Sequence, residues 1–226
     1  MRLLLAVLLA YIPSSASLLK HTAQRARQLR SREVTLLGTL VAGDEPQRNA
    51  QLQLRFPLQC RLEPEGGQAV SVKGTAQNPE GVPEGPSGPA LRLVQMACPL
   101  IAYRGIPTAD APQTLRVAAL AAGADVTAGA AVSRLYDQTV YVLGAAPRDE
   151  SKPQLWIYKD INAPARLIAQ GGADLRLLQY GTPAAGEWFP RVIELWSSGR
   201  LAARFEVLEA KGVRAGAQEE EEDSDE

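Results

Sequence analysis

The chain contains few of the residues that most often carry out chemistry. Among its 226 residues are one histidine and two cysteines, and aromatic residues make up 5%. His21 lies on a predicted solvated helix, whereas catalytic bases sit in clefts. The sequence lacks a Gly-x-Ser-x-Gly elbow, a phosphate-binding loop, a His-Glu-x-x-His zinc motif and a dinucleotide fingerprint. These absences favour a protein that is not an enzyme and that holds no metal or cofactor.

Acidic residues are the remaining source of catalytic groups. Most of the candidates lie at predicted strand ends or in turns, where Asp is common because its side chain bonds to the turn backbone. We interpret them as turn residues, and a catalytic carboxylate pair, as in a hydrolase, is the alternative. The residues concerned are Asp137, Asp149, Glu150, Asp160 and Asp174.

No apolar run reaches the roughly 20 residues that a transmembrane helix needs. The run Leu3–Ile12 follows a single cation and precedes small residues that suit a signal peptidase. The sequence therefore predicts a signal peptide over residues 1–16, with Ser17 as the second choice for the cleavage site. No cysteine follows these small residues, so no lipid-anchor site is predicted. We expect a periplasmic or secreted protein.

Cys60 and Cys98 are the two cysteines of the chain. Two cysteines in an exported protein suffice for one disulfide, whereas metal sites usually need four ligands. A Cys60–Cys98 disulfide is therefore predicted, with metal binding as the weaker alternative. The bond would close a loop across the middle of the chain.

Charge is unevenly distributed along the chain. The formal net charge is −1, and seven acidic residues lie in 219–226. A run without apolar side chains is expected to stay solvated, so residues 213–226 are predicted to be a disordered acidic tail. Its role is either solubilising or the binding of a cation or partner. Lys and Arg are scattered and not interleaved with aromatics, so no nucleic-acid partner is predicted.

The segment 17–212 has the length of one domain. Its patterns predict an amphipathic helix at Ser17–Arg32, a short helix at Thr114–Ala121, a loop at 78–89, and Leu91–Ala97 as either a strand or the start of a helix. Strands are predicted at Glu33–Val41, at Gln51–Phe56 with continuation to Glu63, at Ala69–Lys73 and at Arg134–Gly144.

Short apolar blocks separated by turn residues fill 154–209 and predict antiparallel hairpins. Side chains alternate between the faces of a strand, so Trp156 and Tyr158 share one face while Leu155 and Ile157 share the other. Apolar residues on both faces indicate a sheet that is covered on both sides. Either helices and the curl of the sheet cover them, or one face lines an apolar cavity for a lipid-like ligand.

Two strand motifs resemble the periplasmic outer-membrane lipoprotein-sorting (lipoprotein carrier) superfamily. They are Leu155-Trp156-Ile157-Tyr158-Lys159-Asp160, with Pro164 and Arg166-Leu167, and Phe189-Pro190-Arg191-Val192-Ile193-Glu194-Leu195. They cover about a quarter of the chain, and the rest agrees in the order of elements. The resemblance implies an α+β fold, in which a strongly curved antiparallel sheet, an incomplete β-barrel, is covered by the N-terminal and middle helices.

In that superfamily the cavity between sheet and helices binds acyl chains. By resemblance, the ligand is a lipid or lipoprotein acyl group, the partner is membrane-associated, and the role is in outer-membrane lipoprotein sorting. Apolar aromatic residues of the sheet are the candidate cavity residues: Trp156, Tyr158, Trp196 and Phe205. The competing interpretation is a non-enzymatic envelope interaction or scaffold protein whose core is filled by its own side chains.

Overall fold

The computed structural model describes residues 12–25, 31–74, 88–103, 110–127, 129–184 and 187–214. Within them the helices are α1 (Ser15–Arg25), α2 (Gly88–Ile101) and α3 (Ala111–Ala121). The strands are β1 (Ser31–Ala42), β2 (Arg48–Arg55), β3 (Gln59–Pro64), β4 (Val70–Lys73), β5 (Ala131–Leu135), β6 (Gln138–Leu143), β7 (Gln154–Tyr158), β8 (Pro164–Ile168), β9 (Ala173–Ala184), β10 (Glu187–Ser197) and β11 (Arg200–Arg214).

All of these strands belong to one antiparallel sheet, in the order β4-β3-β2-β1-β11-β10-β9-β8-β7-β6-β5. The last strand, β11, pairs with β1 and therefore joins the first four strands to the later hairpins. Within the described residues, β4 and β5 are edge strands, so the sheet is not closed. The predicted fold class, a curved antiparallel sheet with covering helices, is confirmed.

The helices cover one face of the sheet, here called the helix side. Helix α2 packs on β3, β4 and β8 to β11, and α3 packs on α2 and on α1. Because α2 is apolar on nearly every side, it lies enclosed between the sheet and the other helices. The opposite face, here called the outer side, carries a separate and smaller apolar cluster on β5 to β9.

The N-terminal elements differ from their predicted bounds. Helix α1 begins at Ser15, inside the predicted signal peptide, and Ser31 and Arg32 belong to β1 rather than to the helix. The strand predicted to run on to Glu63 is two strands, because a turn over residues 56–58, with a cis Phe56–Pro57 peptide, reverses the chain. Apolar and polar residues alternate in both β2 and β3, so the sequence pattern does not reveal the turn between them.

Two further predictions are settled by the structure. Of the two alternatives for Leu91–Ala97, the helix is confirmed, since the segment lies in α2; a helix buried on all sides has no polar stripe, so its sequence also resembles a buried strand. The single strand predicted at Arg134–Gly144 is the hairpin β5–β6, which turns at Tyr136 with φ 54°. A bulky residue at positive φ is an uncommon turn signal.

Several predictions fall on residues outside the described ranges. These are most of the signal peptide, nearly all of the 78–89 loop and the acidic tail from residue 215 on; β11 extends to Arg214, two residues into the predicted tail. The division into a signal peptide, one domain and a tail stays a prediction. In the described part of the chain, no helix has the length and apolarity needed to span a bilayer.

Candidate functional site

The helix side is lined by inward side chains from strands across the sheet. Leu36, Leu52, Leu62 and Phe205 are each at most 1% exposed, and they belong to one cluster with the apolar faces of the three helices. This arrangement follows from the period of two in the strands, which places every second residue against the helices. The interior between sheet and helices is therefore a continuous apolar region.

Helix α2 is fastened to the sheet by a covalent bond. Cys98 on α2 and Cys60 on β3 form a disulfide with Cα atoms 5.9 Å apart, which confirms the predicted pairing. Both cysteines are buried. By contrast, α1 and α3 pack on each other, and the Tyr103 hydroxyl after α2 donates a hydrogen bond to the carbonyl of Thr22 on α1 at 3.2 Å. The three helices are thus attached to the sheet in different ways.

A buried cation lies within this interior. Arg92 on α2 is fully buried, and desolvation lowers the pKa of its guanidinium. An arginine remains charged in proteins even so. The apolar interior therefore contains one guanidinium that the sequence patterns did not single out.

The four predicted cavity residues do not share one face. Phe205 lies on the helix side, opposite Leu40 in the β1–β11 register, and is fully buried. Trp156 and Tyr158 lie on the outer side, and Trp196 occupies the outer side of β10. The structure brings Trp156 and Tyr158 together, and it places Phe205 alone of the four beneath the helices.

The outer cluster is a second small core. Trp156 and Tyr158 pack with Leu135, and the Tyr158 hydroxyl donates to the carbonyl of Leu177 at 3.2 Å. Burial raises the pKa of Tyr158 above its ordinary value. The Tyr180 ring meets Tyr158 edge-on, with centroids 5.9 Å apart. These contacts bury Trp156 and Tyr158 without help from any helix.

Beside this cluster runs a row of paired charges. Arg166 donates to Asp174 and, at 2.7 Å, to Glu150. Burial alone would lower the pKa of Arg166, but its bonds to these two carboxylates raise it. Two arginines also lie over tryptophan rings, Arg166 over Trp156 at 4.8 Å and Arg176 over Trp196 at 4.7 Å. Trp156 and Trp196 thus serve as platforms for cations.

The acidic residues considered for catalysis are engaged in this network or lie in turns. Glu150 and Asp174 bond to Arg166, and Asp149 bonds to Ser151 and Lys152. Asp137 and Asp160 lie in turns, and His21 is exposed on α1. Among the described residues, no group of three or more His, Cys, Asp and Glu side chains is arranged to hold a metal ion.

A pocket of about 310 Å³ opens where the first turn of α2 meets the ends of β1 to β3. We call it the mouth pocket. Its floor is apolar, with Leu40, Ala42 and Ala90 at 8% exposure or less. An ion pair between Arg48 and Glu45 lies at its rim. Leu40 at this floor lies on the helix side, where it pairs with the buried Phe205 across the β1–β11 register.

The residues of the mouth pocket were not predicted from the sequence. Leu40 and Ala42 belong to a predicted strand, but Ala90 is about fifty positions further along the chain. Alternation identifies which residues face inward, but not which helix meets them. The one available signal was Phe205, which lies across the β1–β11 pairing from Leu40.

Comparison with known proteins identifies similar folds. No protein-family model matches the sequence, and no curated protein matches it. A LolA superfamily protein from Nitrosomonas europaea is 15% identical with a TM-score of 0.44, and the alignment covers 90% of this chain and 95% of that one. A putative outer membrane lipoprotein-sorting protein domain from Vibrio parahaemolyticus is 8% identical with a TM-score of 0.49, over 90% and 94%.

A third similar structure is the Pseudomonas aeruginosa MucA/MucB complex, at 14% identity and a TM-score of 0.30, covering 90% of this chain and 59% of that one. Two of the three structures carry the name of the superfamily that the strand motifs resemble. All three TM-scores lie below 0.5, and the functional assignment therefore rests on this chain's own residues.

Proposed function

We propose that the protein is an exported, non-enzymatic binding protein that holds a lipid or lipoprotein acyl chain between its curved sheet and its helices. The observation that supports this proposal is the mouth pocket, an opening with an apolar floor at the seam between β1 and α2. Leu40 at its floor lies beside the buried Phe205. Beyond the Arg48–Glu45 rim, an acyl chain entering here would meet the apolar side chains of Leu40, Ala42 and Ala90.

The dimensions of the pocket suit one chain. Ligand sites usually occupy roughly 300–1,000 Å³, and the mouth pocket, at about 310 Å³, is at the lower end. Each buried methylene contributes about 0.8 kcal/mol, so useful affinity needs no specific motif. A longer chain would extend into the interior only if the helices shift, because Leu36, Leu52 and Phe205 fill it.

The proposed location is the periplasm. A disulfide persists mainly in oxidising compartments, and the Cys60–Cys98 bond joins two elements of the fold. In this setting the ligand would be received from, or delivered to, a membrane-associated partner, and outer-membrane lipoprotein sorting is the corresponding role. Fractionation of cells that express the full chain with a C-terminal epitope would test the location.

A second candidate is an envelope interaction or scaffold protein with a filled core. The observation in its favour is that helix-side residues such as Leu93, Met96 and Phe205 are fully buried against one another. Under this interpretation the mouth pocket is a surface depression, and the protein acts through its surface.

Binding of a fluorescent C16 fatty acid, followed by native mass spectrometry, separates the two candidates. We expect the wild-type chain to bind the probe, and Ala90→Trp and Ala42→Phe, which narrow the pocket from the helix and from the sheet, to lose binding while keeping wild-type circular dichroism. Val132→Trp is the matched control, because Val132 is 47% exposed on the far edge strand β5. A folded wild-type chain that binds no probe would overturn the lipid proposal and favour the filled core.

A further inference from the structure

A polar groove of about 490 Å³ lies on the outer side of β2, β3 and β4. We call it the β2–β4 groove. The alternation that turns Cys60 and Leu62 toward the helices turns their neighbours outward. The polar side chains that line the groove are Gln53, Arg55, Gln59, Arg61, Ser71 and Lys73, and Cys60 and Val72 complete its lining. This lining contains three cations and no acidic residue.

The cations of the groove remain accessible. Arg55 bonds to Glu33 through Nε at 2.8 Å, yet its side chain is 65% exposed. Arg61 lies 3.4 Å from Glu63 and is 51% exposed. Lys73 is exposed at the end of the edge strand β4. Neither Glu33 nor Glu63 is among the residues that line the groove, so an anionic segment could approach all three cations from solvent.

The chain itself contains an anionic segment. Residues 219–226 include seven of the 25 acidic residues, which leaves 18 against the 24 cationic residues of the remaining chain, a formal charge of +6. These residues lie outside the described part of the structure. No lysine or arginine lies within residues 219–226 to balance these carboxylates.

The path of the chain brings this segment within reach of the groove. Arg214, at the end of β11, pairs with Ser31, and the same end of the sheet continues through the pairs Glu33–Arg55, Arg55–Gln59 and Gln59–Lys73. Four strand spacings of about 4.8 Å separate β11 from β4, roughly 19 Å. Twelve residues follow Arg214, and an extended chain of that length spans about 40 Å.

We propose that residues 219–226 dock in the β2–β4 groove of the same molecule. Tethering through residues 215–218 keeps the segment at a high effective concentration, which offsets the weakness of exposed ion pairs. The docking is reversible and sensitive to salt. It covers the three cations and so keeps other anionic molecules off this face. The inference does not depend on the proposed acyl-chain function, because the groove lies on the opposite face of the sheet.

Paramagnetic relaxation in the full chain tests this proposal. Cys60 and Cys98 are joined to each other and do not react with a thiol-specific spin label. In the variant Ser224→Cys the label therefore attaches at position 224, and every acidic residue stays in place. We expect the label to reduce the amide signals of Gln59, Arg61 and Ser71 and to spare the β5–β6 hairpin at the other edge. Signal should return at about 1 M NaCl, where the Debye length is about 3 Å.

Matched variants complete the test. The triple change Arg55→Gln, Arg61→Gln and Lys73→Gln should abolish the signal loss, whereas Arg134→Gln, Lys152→Gln and Lys159→Gln, three exposed cations elsewhere, should retain it. Changing Glu219, Glu220, Glu221 and Glu222 to Gln leaves the described residues intact and should also abolish it. A 1:1 mixture of spin-labelled protein without ¹⁵N and unlabelled ¹⁵N protein should show no signal loss.

Three results would overturn the proposal. They are the absence of signal loss in the groove, its persistence in the groove triple variant, and an equal loss in the mixed sample, which would show contact between molecules.

Discussion

The carboxylate of Asp174 on β9 accepts two hydrogen bonds from the guanidinium of Arg166 on β8, one from Nε at 2.7 Å and one from Nη2 at 2.8 Å. The two side chains are only 12% and 6% exposed. Such a two-bonded geometry matches the planar fork of arginine to the carboxylate. The two hydrogen bonds between Arg166 and Asp174 therefore replace much of the hydration that each charged group loses on folding.

Asp174→Ala should destabilise the protein by about 3 kcal/mol, because the buried guanidinium of Arg166 loses its buried carboxylate and keeps only its bond to the half-exposed Glu150. Urea unfolding followed by circular dichroism measures the change. The matched control is Glu209→Ala, since Glu209 pairs with Lys211 at 3.6 Å and both side chains are more than half exposed; we expect a change within about 0.5 kcal/mol. Equal losses in the two variants would contradict the role of burial.

Glu150 should make the stability depend on pH in the acidic range. Its hydrogen bond with Arg166 lowers the pKa of Glu150 in the folded state. A lowered folded pKa means that the contribution is present above the unfolded pKa of roughly 4.3 and is lost as pH falls through the folded pKa. Wild type should exceed Glu150→Gln in unfolding free energy at pH 7, and the gap should close on acidification. A gap that is constant with pH would contradict this prediction.

Gly38→Ala should weaken the seam between β1 and β11. The added Cβ would lie 2.0 Å from the backbone oxygen of Glu206, at the place where the register of the two strands shifts. Backbone cannot rotate away as a side chain can, so we expect a loss of about 2 kcal/mol or more. Thermal unfolding measures it. Gly129→Ala is the control, since a Cβ there meets nothing within 4 Å.

Removing the disulfide should lower stability by about 4 kcal/mol, according to the entropy of closing a loop of this size. Cys60 and Cys98 are 38 positions apart. The comparison is between the oxidised wild type and the double variant Cys60→Ala, Cys98→Ala in urea. Reduction of the wild type should reproduce the loss; if the reduced protein is as stable as the oxidised one, the estimate is wrong.

The hairpins of 154–209 were predictable because their signals are local. Leu155 and Ile157 face the helices while Trp156 and Tyr158 face outward, as alternation requires. What alternation leaves open is which side the helices cover. Trp156, although an apolar aromatic, is buried by neighbours on the sheet and by Arg166, so its apolar character did not indicate the helix side.

The candidate site was less predictable than the strands around it. The predicted cavity residue Phe205 lies beside Leu40 but does not line the mouth pocket, and its lining residues Leu40, Ala42 and Ala90 were not predicted, because they come together only through the packing of α2 on the sheet. Arg92 was also missed, since its neighbours in sequence are those of an ordinary apolar segment. A helix enclosed on all sides gives no periodic signal of its orientation.

The sequence by itself determined the hairpins of 154–209, the alternation of their faces, the cysteine pairing and the separation of an acidic run from a cationic body, since each depends on residue types at short spacing or on their number. Tertiary structure decided which face of the sheet the helices cover, where the mouth pocket opens and how the charges of Arg166 and Asp174 are satisfied. These depend on contacts between residues far apart in sequence, whose geometry is set only when the sheet closes β11 against β1 and encloses α2.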